Sequence, residues 1–318
     1  MKNKKQMHKL IVLGADWDVY TYAFQDFIDN KHIHYIPTFR PSGILGVIQR
    51  IHLNPSLNRK VAIPRKKIWG EYVVHQIIRK KQNLHSDAIP CFLILENWLR
   101  MESALCILPT LRRCFPNSKI VCFAQDLVTQ INDMYTMKDV DTEYVKKYCD
   151  LFITFDTNDA KKYNLKYFPT VFSAPKNIVA SQHIEYDFYF LGRNKGRLPL
   201  LMNLCKAFNE QKLKCNFQIL ENTIQNNQTV MNGINYTVCL VDYADNLKCV
   251  ARSNCIVELL QENASSATFR LWEAITFNKK LLTNNKSIKD SPFYDPRYIS
   301  TFSSETDIDW NFIQHIAE

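Results

Sequence analysis

Short apolar runs alternate along the chain with longer amphipathic stretches, the pattern of an α/β protein. "KLIVLGA" (residues 9–15) reads as a buried strand, the stretch Tyr20–Asn30 as a helix, and "HIHYIPTF" as a second strand. The region "RKVAIPRKKIWGEYVVHQIIRKKQN" is basic and punctuated by proline; its second half, from Trp69, reads as a helix. Strand "PCFLILEN", helix "LCILPTLRRCF", strand "SKIVCFAQD", helix "EYVKKYCD", strand "LFITFD", short helix "TNDAKKYNL" and extended "KYFPTVF" follow. Pro90 stands at the start of its strand, where a missing N–H matters least.

A second series starts near residue 183. Strand "EYDFYFLG" ends at Gly192, helix "RLPLLMNLCKAFNEQKL" and strand "KCNFQIL" follow, and polar "ENTIQNNQTVMNGIN" reads as loop. Then come helix "YADNLKCVARS", strand "NCIVELL", helix "TFRLWEAITFN", strands "KKLLTN" and "RYISTF", and a last helix "DIDWNFIQHIA". "SAPKNIVASQH" (residues 173–183) is the best linker. Two consecutive β/α series of similar size imply two domains, each with a parallel sheet. The first is expected over residues 1–178, the second over 179–305, with a closing helix over 306–318.

Composition narrows the class. With 46% hydrophobic and 22% charged residues, the 318-residue chain is neither disordered nor collagen-like. Ten cysteines lack CxxC or zinc-finger spacing, and several sit in apolar runs, which points to reduced core cysteines in a cytoplasmic protein. Six apolar residues before Asp16 are too few for a signal-peptide core. No window approaches the roughly 20 apolar residues of a membrane span, so any membrane contact would be peripheral, on an anionic inner surface. The basic segments "RKVAIPRKK" and "IIRKKQN" could supply it, with Trp69 and Tyr72 at the headgroups. The net charge of +9 would also suit nucleic acid, but no recognised module is present and the aromatics lie in apolar elements.

Two segments suit a smaller anion. In "LGRNKGR", Leu191–Arg197, a strand ends at Gly192 and three cations, Arg193, Lys195 and Arg197, surround Gly196 before a helix begins. Such a turn lets backbone N–H groups approach a phosphate, and guanidinium groups add bidentate contacts. In "VELLQENASSATFRLWEAITFNKKLLTNN", small polar residues lead to a helix with Thr268 and Arg270 at its start, where free N–H groups favour an anion. Glu273 lies further along it, within reach of vicinal hydroxyls. In the first half, Asp16, Glu96 and Asp126 end predicted parallel strands, where such sheets open to ligands. Asp126 and Asp16 are the candidate bases for taking an acceptor hydroxyl's proton. Asp156 and Asp159 read as helix caps, and His32, His34, His52 and His75 as structural.

The segment around Glu273-Ala274 resembles the donor half of GT-B-type glycosyltransferases, in which a helix with a Glu-Ala pair follows a small-residue loop and leads to a strand with a polar turn. "FLGRNKGR" occupies the place of the basic turn after that domain's first strand. The layout looks like the bacterial lipopolysaccharide and capsule glycosyltransferases, near a spore-protein-like branch. "TFDTNDAKKYNLKYFP" and its linker look similar to that branch's domain junction. The resemblance implies two Rossmann-like domains facing across a cleft, with the closing helix packed toward the first. It implies a nucleotide-diphosphate sugar donor, a carbohydrate or lipid-linked acceptor, no cofactor and no obligatory metal. Gly192, Arg193, Lys195 and Arg197 would face the diphosphate, Thr268 and Arg270 would assist, and Glu273 would hold the ribose. One position departs: Ser266 stands where many relatives carry a second acid, with Glu262 and Glu258 the nearest acids and Gln261 a possible substitute. A nucleotide-sugar epimerase on the same scaffold and a degenerate glycosyltransferase kept as a binding subunit are the rival readings.

Overall fold

The structure is a computed structural model that describes residues 8–37, 41–61, 67–80, 88–129, 140–179, 183–222 and 231–315. The chain forms two compact units, Met1–Pro169 and Thr170–Glu318. The division falls at Pro169, before the expected linker.

The first unit is built on a parallel sheet of β1 (His8–Leu13), β2 (His34–Ile36), β3 (Ile89–Leu95), β4 (Lys119–Ala124), β5 (Leu151–Thr154) and β6 (Lys166–Tyr167), in the order β2-β1-β3-β4-β5-β6. Every pairing is parallel; β1 runs beside β3 from His8 opposite Ile89 to Leu13 opposite Ile94. Near-continuous apolar runs form these strands because helices cover both faces. Ile11, Leu13, Phe92, Ile94 and Ile120 join Trp98, Leu108 and Leu111 in one core. Side-chain caps start several helices: Asn54 accepts from Ser56 and Leu57, Asp141 from Tyr144, and Asp156 from Asn158 and Asp159.

The second unit has β7 (Tyr186–Arg193), β8 (Cys215–Leu220), β9 (Ile234–Thr237), β10 (Ser253–Glu258), β11 (Lys280–Thr283) and β12 (Ile299–Thr301), ordered β12-β11-β10-β7-β8-β9, again all parallel. Phe188, Phe190, Phe208, Phe217 and Val257 fill its core. Phe188 and Phe208 stack with centroids 3.8 Å apart. The last helix, Trp310–Gln314, starts at an Asp309 cap and buries Phe312 and Ile313 in this same core.

The structure adds elements to the sequence reading. β9 lies within and just beyond the polar stretch read as loop; its INYT sequence is mostly polar because it is a sheet edge. Two helices to which the sequence reading assigns nothing, Gly43–His52 and Pro55–Lys60, precede Trp69, and only the second reaches into the basic region, at residues 59–60. Trp69 is corrected from an interfacial residue to a core one: it is 6% exposed and its indole N–H donates to His52 Nδ1 at 3.2 Å. The helix from Trp69 continues with a π-helical stretch, Val73–Lys80. Residues 62–66 and 81–83 of the basic segments, 180–182 of the linker, 223–230 of the polar loop and 316–318 of the last helix lie outside the described residues.

Candidate functional site

In the second unit the chain runs outward from β7 through β8 to β9, then returns to place β10 on the other side of β7. The carboxyl ends of β7 and β10 therefore flank the point where strand order reverses, the place where open α/β sheets take ligands. The turn after β7 holds Lys195 at φ 44° and Gly196 at φ 79°, left-handed conformations that suit glycine. Arg193 and Lys195 are exposed at its rim. The Arg193 guanidinium donates to Asn222 Oδ1 at 3.1 Å and Lys195 Nζ to Gln261 Oε1 at 2.6 Å. Arg197 turns inward instead. It donates to the carbonyls of Asn194, Arg193 and Leu259, clamping the turn onto the segment after β10. Burial, then the nearby Arg270 cation, holds the Arg197 pKa below its ordinary value. Gly192 leaves room for this: a Cβ there would lie 3.2 Å from the Arg197 guanidinium.

At the end of β10 stands Glu258, 1% exposed. Its Oε1 accepts from the Thr268 amide at 2.9 Å and hydroxyl at 2.7 Å, and its Oε2 from the Thr283 hydroxyl at 2.7 Å. Thr268 in turn caps the helix Phe269–Thr276 by accepting from the Arg270 amide. One carboxylate thus joins β10, β11 and a helix N-terminus at the sheet's carboxyl edge. Ser266, in the loop before that helix, is buried. Past β11, buried Asn285 accepts from Ser287 through Oδ1, and the Ser287 hydroxyl donates to the Ser265 carbonyl of that loop. The Asn285 Nδ2 has no hydrogen-bond partner among the described residues.

Glu273 is fully buried. Its Oε1 accepts from the Tyr243 hydroxyl at 2.7 Å and Asn246 Nδ2 at 3.2 Å, and its Oε2 pairs with Arg270. Arg270 also donates to Asn246 Oδ1 and to the Leu191 carbonyl at the end of β7. Both carboxylate oxygens of Glu273 are therefore engaged inside the unit, and Arg270 is fixed against the strand that leads to the basic turn.

In the first unit strand order reverses between β1 and β3. Asp16, just past β1, lines a cavity of about 460 Å³ with Thr21, Ile28, His34 and Tyr35. The Tyr35 hydroxyl braces the loop by donating to the Ala15 carbonyl and accepting from its amide. Burial, then Lys9, lowers the His34 pKa, which favours its neutral imidazole. Asp126, after β4, is partly exposed and pairs with Arg100 at 3.2 Å; its Oδ1 accepts from the Leu127 amide. Arg100 also pairs with buried Glu96 at the end of β3. Burial pushes Glu96 up to about 7 against the pull of Arg100. Among the described residues, no group of three His, Cys, Asp or Glu could hold a metal ion.

The structure brings Gly192, Arg193, Lys195 and Arg197 to one edge with Thr268 and Arg270; in the first unit Asp16 lines its cavity and Asp126 pairs with Arg100. Sequence reasoning missed the ties made by Glu258, Asn246 and Tyr243, and it set His34 aside as structural. Glu258 carried the same signal as Glu96 and Asp126, an acid ending an apolar strand.

No protein-family model and no curated protein matches the chain. Solved structures do. An alpha-glucosyltransferase in complex with UDP and a 13-mer DNA containing a HMU base shares 13% identity over 98% of this chain and 90% of that one, with a TM-score of 0.56. OtsA in its apo form shares 10% identity over 97% of this chain and 90% of that one, with a TM-score of 0.52. At these identities the likeness is one of fold, two consecutive Rossmann-like α/β domains of the GT-B class.

Proposed function

We propose that this chain is a glycosyltransferase that moves a sugar from a nucleotide-diphosphate donor to a carbohydrate or lipid-linked acceptor, in the assembly of a surface polysaccharide or lipopolysaccharide. The observation that carries the reading is the carboxyl edge of β7 and β10. There, exposed Arg193 and Lys195 stand on a left-handed turn clamped by Arg197, in a sheet whose capped helix N-terminus opens at the same edge. Cations and backbone amides so placed suit a diphosphate. The fold shared with an alpha-glucosyltransferase solved with UDP supports a nucleotide donor.

In this reading Arg193, Lys195 and the helix start stabilise the diphosphate as its bond to the sugar's anomeric carbon breaks. Arg197, Thr268 and Arg270 shape that edge. Glu273 holds Arg270 in place. The acceptor binds the first unit. In a transfer with inversion, a base removes the acceptor hydroxyl's proton as its oxygen bonds to the anomeric carbon. Asp16, in its cavity beside His34, is the better placed base, and Asp126 the alternative.

Isothermal titration with UDP and the other nucleoside diphosphates tests the donor site. Arg193→Ala and Lys195→Ala should each weaken binding about tenfold, the loss of one charge-assisted contact. Unchanged affinity in both variants removes the assignment. Turnover of a nucleotide sugar without acceptor would instead mark an epimerase.

A further inference from the structure

The helix Gly43–His52 is turned inside out. Its buried residues are Gly46 and Gln49, while Ile44, Leu45, Val47, Ile48 and Ile51 are exposed. Ile44, Val47, Ile48 and Ile51 repeat at i, i+3, i+4 and i+7, so they form one stripe along the helix. An ordinary surface helix presses that stripe into the core. Here Ile44 is 80% exposed and Ile51 49%. The orientation is held from below. The Trp69 indole, buried in the first unit's core, donates to His52 at the helix end. On the same side Gly46 lies against the chain's own lead-in, where a Cβ would be 2.2 Å from the Pro41 carbonyl oxygen. The next two helices expose Leu57 and Ile68.

Charge accompanies the stripe. Between Asp29 and Glu71 the sequence carries eight Lys or Arg and no Asp or Glu, against +9 for the whole chain. Arg50, Lys60 and Lys67 are exposed.

We infer that this surface docks on an anionic lipid membrane. The stripe enters the acyl boundary, and the cations meet headgroup phosphates. The combination selects the occupant. Cations alone would suit nucleic acid, but aliphatic side chains gain nothing from a phosphate backbone. A stripe alone would suit a second protein, but that partner would meet a long run without one acid. A helix of ten residues is too short to cross a bilayer, so it lies in the interface plane. The inference stands independently of the glycosyltransferase reading.

The test is co-sedimentation of the full chain with vesicles of phosphatidylcholine, alone or with about one-third phosphatidylglycerol. The chain should bind the anionic vesicles and not the neutral ones. I44S/I48S/I51S should bind about tenfold more weakly, with its circular dichroism and melting temperature kept. If that variant misfolds, Ile44→Ser alone should show a smaller loss. K60E/K67E should weaken binding as well. Three results overturn the inference: folded stripe variants that sediment like the parent; duplex DNA that binds more tightly than the anionic vesicles; or a dimer in solution that I44S/I48S/I51S dissociates, which would assign the stripe to a second copy.

Discussion

Glu273 and Arg270 form a buried ion pair shared with Asn246, Tyr243 and the Leu191 carbonyl. Removing one partner of such a pair leaves the other charge uncompensated and costs about 3–5 kcal/mol. Glu273→Ala should therefore lower the unfolding free energy in urea by about that amount. Adding Arg270→Met should recover part of it; strictly additive losses would mean the two side chains act separately. The buried acids of the first unit set a pH dependence. Burial pushes Glu96 up to about 7 and Glu102 up to about 8, above the ordinary carboxyl value of 4.5. The folded state thus holds these protons more tightly than the unfolded one. Their stabilising contribution is complete below about 4.5 and is lost as pH rises through about 7 and 8. The melting temperature should fall over that interval, by about 2–4 °C per kcal/mol, and Glu102→Gln should flatten part of the fall. A melting temperature that rises instead removes this account. Local spacing offers only the pairs Arg270–Glu273 and Glu96–Arg100, three and four residues apart, and not the burial that gives them their weight. A lone Glu on a helix reads as a solvent-facing residue, and two of the partners of Glu273, Tyr243 and Asn246, come from a helix 30 and 27 residues earlier in sequence.

At the level of elements, the strands with long apolar runs were readable because a sheet buried on both faces needs them. β9 escaped because an edge strand with INYT carries no such run. The helix Gly43–His52 escaped for the opposite reason. Its stripe is regular, but it faces outward instead of joining a core, and it lies between the second strand and the basic region, where the sequence reading assigns no element. Close packing of the helix Lys67–Tyr72 on the helix Glu102–Leu105 makes Gly70 sensitive. A Cβ there would lie 1.7 Å from the Leu105 carbonyl oxygen, a backbone atom that cannot step aside. At Gly196, φ is 79° but the surrounding space is open. Gly70→Ala should destabilise by about 1–3 kcal/mol or more through overpacking. Gly196→Ala should lose about 1 kcal/mol through backbone strain alone. Urea melts that rank the two in reverse would contradict the packing described.

For the molecule as a whole, each unit has its own sheet and its own apolar core. Residues 170–318 expressed alone should therefore melt cooperatively, and UDP at about 100 times its Kd should stabilise that fragment by about 2.7 kcal/mol. A folded fragment indifferent to UDP would separate the fold from the donor assignment. The two β/α series made the class readable in the sequence, because parallel connections follow from the alternation itself, although the second series reads one strand short. The charge was readable as a total and as basic segments, but not as part of a surface. Its concentration between Asp29 and Glu71 gained meaning once a helix there was found with its apolar stripe outward.

The clamp from Arg197 to the Leu259 carbonyl has a consequence for how the chain is made. β7 takes β10 as its neighbour only after β8 and β9 have been passed, so this pairing closes a long loop, a slow step in folding. On the ribosome, the basic turn at Arg193–Arg197 emerges well before the carbonyl that holds it. A nascent chain stalled before residue 253 would carry the cations of the turn without their anchor. Competence to hold a diphosphate should thus arise late and all at once, when β10 slots in beside β7.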